Sequence, residues 1–490
     1  MTPEQTLEAT FRSGNLALAR KIAVEMLQRN VANKTALQVL AHIALLIGVS
    51  SEALPIANKA LAEDDKDPRT NALLAEIHGA RGHTNKALTF CDKVLKTHPG
   101  DPSTLQIKAR LLERAGKWKE AQSLLEPFAD KTPKPTLLAT TLARCRMQAG
   151  DYAGAIALLD ETLPGMTGSD KKTRQQRASL LGLKARILDR DRQYDEAWKA
   201  ATESNQLHDI KYDPATYTNE IDQLINWFST KRVEQLPKAP ASSAQHIFIV
   251  GMARSGTTLT EQILDAHRQA TGLGEIKDLD VLARMLPKTL NIRKPLPNIL
   301  EDVDSGQLER MVKTYETGIE QQEFAKSSFY VNKNLRNGLL LGLIAMMFPN
   351  ARVIFTHRDP RDTGVSSYMA GMSHELFPYL FNVEHMASAF RDYDRLVTHW
   401  KSVLPLQWLD VRYEDLVNNQ QAETRRLLEF CGLPWDERCL RFWKSSRTVM
   451  TQSYDQVTRP IYTQSVDRYK HYEQHIAPLL ELVPADQTKS

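Results

Sequence analysis

Two hydrophobic rhythms divide this chain of 490 residues. In the first, glycines recur every 34 residues, at Gly14, Gly48, Gly82, Gly116 and Gly150. An alanine follows each by five positions, at Ala19, Ala53, Ala87, Ala121 and Ala155. Chance would not hold both series in phase over five units. The pattern predicts a helix, a turn at the glycine, and a second helix that the small alanine lets approach closely. Pro99 and Pro133, each 17 residues past its glycine, break the chain where one unit hands over to the next. A degenerate sixth unit includes Arg192 to Ala197, pushed out of phase by the polar insert 164–172. From residue 246 a second rhythm begins, in which apolar runs alternate with helical stretches, as in an α/β domain with a parallel sheet. Ile247 to Val250, Ala351 to His357 and Leu406 to Arg412 are its strand candidates.

A 34-residue helix–turn–helix period is that of the tetratricopeptide repeat. Such units bury their apolar faces only against neighbours, which gives a curved solenoid. Its concave surface serves either to hold a peptide or protein partner or to orient the next domain. The expected organisation is a repeat solenoid over 1–210, a connecting helix and linker over 211–245, and the α/β domain over 246–480. Within the connector, 231–243 is rich in Pro, Ser and Ala and predicts a linker.

The chemistry gathers where the first apolar strand of the second half ends. Gly251 and Gly256 have the spacing of a phosphate loop, with Thr257 to Leu264 opening a helix behind them. That order aims backbone N–H groups and a helix N-terminus at an anion. Thr257 stands where an ATPase needs lysine, and Arg254 is the cation the loop itself supplies. An arginine forks onto two phosphate oxygens where a lysine acts as a point charge.

Arg254-Ser255-Gly256-Thr257-Thr258-Leu259, taken with Arg358 and Ser366 eight residues apart after a later strand, resembles the PAPS-dependent sulfotransferases (PAPS, 3′-phosphoadenylyl sulfate). The resemblance runs over about 246–475 and is nearest to the protein-tyrosine sulfotransferases and to bacterial proteins that join tetratricopeptide repeats to such a domain. It implies that Arg254 to Thr258 grip the 5′-phosphosulfate and that Arg358 and Ser366 hold the 3′-phosphate. Glu275, in Gly272-Leu-Gly-Glu-Ile276, matches the family's catalytic base, although the animal enzymes carry two adjacent glutamates there. Lys333, in Val331-Asn-Lys-Asn334, matches the lysine at the bridging oxygen. Ser453 opens a stretch resembling the tyrosine enzymes' S-x-D-Q-V-x-K-P loop, with Arg459 in place of its lysine. Arg468 stands where the family has a basic residue on the cofactor phosphate, Tyr469 replaces its tryptophan, and Tyr413 matches a tyrosine of the nucleotide site. Lys277 and Asp278 differ in type from the residues that contact peptide in the tyrosine enzymes.

A sulfuryl group in transfer carries less charge than a phosphoryl group, so fixed arginine, lysine, hydroxyl and backbone donors suffice without a metal clamp. The expected reaction is sulfuryl transfer from PAPS to an acceptor hydroxyl such as a protein or peptide tyrosine, with no metal. The rivals are a P-loop kinase or NTPase, which the missing lysine opposes, and an inactive repeat scaffold, which the retained residue types oppose. His267 and His357 read as packed residues rather than bases. Arg361 stands near the phosphate site or on a solvated face, and Phe377 to Phe381 line an acceptor pocket or the core.

Bulk composition narrows the partners. A net charge of +4 is too small for wholesale nucleic-acid or membrane binding, so anion recognition is local. Four scattered cysteines without a C-x-x-C pair argue against a metal site or disulfide framework and for a reducing, cytoplasmic setting. The N-terminus lacks the basic and apolar regions of a signal peptide, and no apolar run reaches the length of a membrane span.

Overall fold

The computed structural model describes residues 1–129, 136–322, 324–371, 375–444 and 457–483. Its first part is the repeat array. The helix pairs are Pro3–Arg12 with Leu16–Arg29, Lys34–Leu46 with Ser50–Glu63, Pro68–Ala80 with Thr84–Thr97, Pro102–Arg114 with Trp118–Leu125, and Thr136–Ala149 with Tyr152–Thr162. All five phased glycines turn between paired helices with φ between +77° and +82°. That region costs residues with a Cβ free energy, which is why glycine recurs. All five phased alanines are fully buried. Asp67 and Asp101 cap their helices by accepting from the N–H of Thr70 and Thr104, each at 2.7 Å. Pro99 lies in the turn after Thr84–Thr97, whereas Pro133 lies outside the described residues. Ala41, Ala44, Ala53, Ala57, Leu73 and Ile77 pack in one cluster spanning two successive pairs. The apolar faces are therefore closed by neighbours, as a solenoid requires.

Met1–Gly165 forms one compact unit, and a second begins at Met166. The sixth helix pair, Lys171–Arg190 with Tyr194–Gln206, belongs to the second unit, although the repeat rhythm carries the array on to about residue 210. Arg192 takes the turn with φ +62°, and Ala197 is fully buried five residues later, so the degenerate unit keeps the repeat geometry. The connector is not a loose tether. Pro214–Trp227 and Thr230–Gln235 are helices, and Val233 and Ala239 are buried in the core of the α/β domain. The N–H of Ala239 donates to the carbonyl of Met346 at 2.8 Å. A Pro/Ser/Ala composition predicts a linker there, but two apolar side chains and one backbone bond pin it down.

The second unit is built on five parallel strands: β1 (Gln245–Gly251), β2 (Ala270–Gly274), β3 (Phe329–Lys333), β4 (Arg352–His357) and β5 (Gln407–Arg412). Their spatial order is β2-β3-β1-β4-β5. β1 is central, and Ile247 to Val250 are fully buried, as expected of a strand covered on both faces. The chain runs outward from β1 to one edge and then crosses to its other side. This makes the carboxyl ends around β1 a topological switch point, where ligands bind in open α/β sheets.

Candidate functional site

Every strand delivers a candidate residue at its carboxyl end. The loop Met252 to Gly256 follows β1, Glu275 follows β2, Lys333 ends β3, Arg358 follows β4, and Tyr413 follows β5. Parallel strands align these ends on one edge of the sheet, so residues scattered over 160 positions of sequence become neighbours.

Behind the phosphate loop, the helix Thr257–Asp265 begins at Gly256, which has φ +102°. A Cβ at Gly256 would lie 2.9 Å from Cδ2 of Tyr413, so both conformation and space demand glycine. Arg254 also has positive φ, at +68°, unusual for a residue with a side chain. Its carbonyl accepts from Nη1 of Arg358 at 3.3 Å, and its own Nε donates to Oγ of Ser366 at 3.1 Å. The three residues implied for the two phosphates are thus joined directly. Ser255 Oγ lies 3.0 Å from Oγ1 of Thr356, which anchors the loop to β4. Arg254, Gly256, Thr257, Thr258, Arg358 and Tyr413 line one cleft together with Val457 and Tyr462.

The Arg358 side chain is only 5 % exposed. It stacks over the Tyr413 ring at 4.8 Å, faces Asp362 at 3.5 Å, and donates through Nη2 to the carbonyl of Ser465. Its Nε is buried without a hydrogen-bond partner among the described residues. An orphaned guanidinium N–H in a cleft calls for an anionic acceptor. Burial raises the Tyr413 hydroxyl above its ordinary range, so the phenol stays neutral beneath the arginine.

Glu275 and Lys333 meet across β2 and β3, with Nζ of Lys333 donating to Oε1 of Glu275 at 2.5 Å. The lysine side chain is fully buried and the glutamate side chain 48 % exposed. Asn334 Nδ2 donates to the carbonyl of Ile276 at 3.0 Å, and Glu261 Oε1 accepts from the N–H of Gly274 at 2.7 Å. Both sides of the pair are therefore held by further bonds.

Arg468 is oriented elsewhere. Its guanidinium is 2.8 Å from Oδ2 of Asp189, which also accepts from the Tyr472 hydroxyl at 2.6 Å. Asp189 lies on the sixth-pair helix Lys171–Arg190. Ser453 lies outside the described residues, while Arg459 stacks over Tyr462 at 4.1 Å. His267 is buried, its Nδ1 accepting from the N–H of Gln269 and its Nε2 donating to the carbonyl of Pro434 at 2.9 Å, so its ring is committed to structure. Arg361 pairs with Asp359 and stacks on Tyr469 at 4.0 Å. Sequence reasoning missed Asp189 and Asp362. The second had a signal, since it is an acid in the first turn of the helix that opens just after Arg358. Asp362 also accepts from the N–H groups of Asp467 and Tyr469, drawing the C-terminal segment to the cleft.

Fold and site together define a P-loop-like α/β domain that follows helical repeats along the chain. Residues 246–437 match the family model described as "Sulfotransferase family", and 80–162 match that of "Anaphase-promoting complex, cyclosome, subunit 3". The chain thus carries a sulfotransferase-family domain joined to tetratricopeptide-type repeats. An uncharacterized protein of Aquifex aeolicus is 30% identical over 66% of this chain. Protein-tyrosine sulfotransferase A of Caenorhabditis elegans is 26% identical over 44% of it. The matches span 43% and 58% of those two relatives. The sulfotransferase domain from the Synechococcus PCC 7002 olefin synthase is 19% identical, with a TM-score of 0.34, over 48% of this chain and 90% of that one.

Proposed function

We propose that the protein is a sulfotransferase that moves the sulfuryl group of PAPS to an acceptor hydroxyl. The observation that carries this is the direct joining of Arg254, Arg358 and Ser366 around a cleft in which Arg358 Nε has no hydrogen-bond partner among the described residues. The loop N–H groups and Arg254 bind the 5′ end, because the first N–H groups of a helix have no intrahelical acceptor. Arg358 and Ser366 bind the 3′-phosphate, and Tyr413 supports Arg358 from below.

In the reaction the acceptor oxygen bonds to sulfur, and the bond from sulfur to the bridging phosphate oxygen breaks. The electron pair leaves with adenosine 3′,5′-bisphosphate, and the acceptor's proton passes to the carboxylate of Glu275. The 2.5 Å contact with Lys333 couples these events. As Glu275 takes the proton, its hold on the ammonium group weakens. The positive charge of Lys333 then offsets the charge developing on the leaving phosphate. Ser453 is assigned to transition-state stabilisation on the family resemblance alone. Arg468 acts through its pair with Asp189, holding the C-terminal segment whose Ser465 carbonyl fixes Arg358.

The test is transfer of radiolabelled sulfate from PAPS. Glu275→Gln and Lys333→Met should each lower turnover by about 10²–10³ while Glu275→Gln still binds the bisphosphate product. Full turnover by either variant would remove that residue from the mechanism, and Mg²⁺-dependent ATP turnover without response to PAPS would replace the reading with a kinase.

A further inference from the structure

A second cavity opens on the other flank of the phosphate loop. Its volume is about 560 Å³, within the range of sites that enclose a small molecule. Gly251, Met252 and Ala253 of the loop form one edge, and Leu335, Arg336 and Leu339, just beyond Lys333, form another. It therefore lies between the loop assigned to the phosphosulfate and the strand end assigned to the leaving oxygen. The remaining walls come from Lys211 to Glu220, directly after the sixth repeat pair, and from Leu376 to Tyr379.

The lining chemistry is aromatic and neutral. Tyr212, Tyr217, Phe377, Tyr379 and Tyr393 all contribute. Ring centroids lie 5.6 Å apart for Tyr217 and Tyr379, 6.1 Å for Tyr212 and Tyr379, and 6.3 Å for Phe377 and Tyr379. Offset rings at such distances accept a further ring in the same mode. Burial pushes the hydroxyls of Tyr217, Tyr379 and Tyr393 upward, so the wall carries no phenolate. The charged rim is balanced. Lys211 and Arg336 share the lining with Asp213 and Glu220, Arg336 is bound to both oxygens of Asp280 at 3.0 Å, and Asp213 is committed to capping its helix. Such a rim offers no surplus positive charge to an acidic peptide. Two polar groups are left over, because the hydroxyls of Tyr212 and Tyr393 are buried without a hydrogen-bond partner among the described residues. They await a polar atom on whatever fills the cavity.

The geometry points to this cavity as the acceptor pocket, taking an uncharged aromatic hydroxyl compound, a phenol in its simplest form, selected by Tyr212 and Phe377. This rests on the sulfotransferase reading, yet its occupant can be tested separately. The phenol could come from a free compound or from a tyrosine side chain with neutral flanks. The post-repeat segment 211–220 is then a specificity element rather than a spacer.

The experiment titrates the intact protein, saturated with adenosine 3′,5′-bisphosphate, with 2-naphthol, a neutral N-acetylated tyrosyl peptide, an acidic tyrosyl peptide and glucose. Transfer from PAPS to each is then measured. Naphthol should bind and glucose should not, and the acidic peptide should bind no better than the neutral one. Naphthol binding without peptide binding assigns the phenol to a free compound, and equal binding assigns it to a protein side chain. Phe377→Ala should weaken naphthol binding about tenfold through the lost ring contact. Tyr212→Phe should change it severalfold only for ligands with a polar group to meet. Neither variant should alter affinity for the bisphosphate. If naphthol binds in a Phe377-dependent manner without sulfate transfer, the pocket stands and the enzymatic reading falls. If glucose or the acidic peptide is sulfated while naphthol neither binds nor reacts, the pocket assignment is overturned and the enzymatic reading stands.

Discussion

At the scale of single residues, the cleft is a set of demands that few side chains meet. Gly256 combines φ +102° with a 2.9 Å approach to Tyr413. Gly256→Ala should therefore cost about 1–3 kcal/mol in stability and weaken nucleotide binding, as read by thermal melting and bisphosphate titration. Arg358→Ala should abolish discrimination between a 3′-phosphorylated nucleotide and ADP, because it removes the group with the orphaned Nε. The loop, Arg358 and Ser366 were legible in the sequence because strand–loop spacing and residue type both mark them, whereas Glu275 and Lys333 came from the family resemblance alone. Asp189 was not, since its value comes from a partner 279 residues later. Nothing local distinguishes it from other helix-end acids. Arg468 was found by spacing, but its use was not legible, because a guanidinium serves an aspartate as readily as a phosphate.

At the scale of elements, three of the five strands were readable and two were not. β1, β4 and β5 show apolar runs. β2 is a five-residue strand with glycine at two of its positions, and β3 ends in two polar residues. Those polar residues are buried because each finds a partner. Asn332 donates to the Tyr315 hydroxyl at 2.8 Å and accepts from Asn337 at 2.9 Å, and Lys333 pairs with Glu275. Tertiary partners thus override the apolar pattern. The C-terminal segment depends on the sixth repeat pair in the same way. Asp189→Ala leaves the Arg468 charge without its pair and should cost about 3–5 kcal/mol in denaturant unfolding. Lys470→Ala, which breaks an exposed pair with Asp467, should leave the unfolding midpoint essentially where it is. On the helix Val383–Val403, His399 lies 2.9 Å from the carbonyl of Phe228, and burial lowers its pKa. The unfolded chain then binds the proton more readily. Stability from this group is complete above about pH 6.5 and is lost as pH falls toward the depressed folded value. The thermal midpoint should drop over that window, and His399→Gln should flatten the decline.

At the scale of the whole molecule, the five-fold glycine and alanine series made the repeat array plain, but not which unit its last member joins. Trp198 of the sixth pair stacks on Tyr368 at 4.5 Å, and Asn205 donates to the carbonyl of Tyr368 at 3.1 Å. These contacts, with Asp189–Arg468, bind that pair into the α/β unit. A protein cut to begin at Met166 should therefore fold and retain nucleotide binding, whereas one beginning at Lys211 should lose both by circular dichroism and titration. Among the described residues no helix is long and apolar enough to cross a membrane. The central claim is that the cleft around Arg254, Arg358 and Ser366 recognises a nucleotide by its 3′-phosphate. Calorimetric titration of the intact protein with adenosine 3′,5′-bisphosphate and with ADP tests it most directly. The bisphosphate should bind at least tenfold tighter than ADP, with the difference lost in Arg358→Ala. Equal affinity for the two nucleotides, or binding of neither, would contradict it.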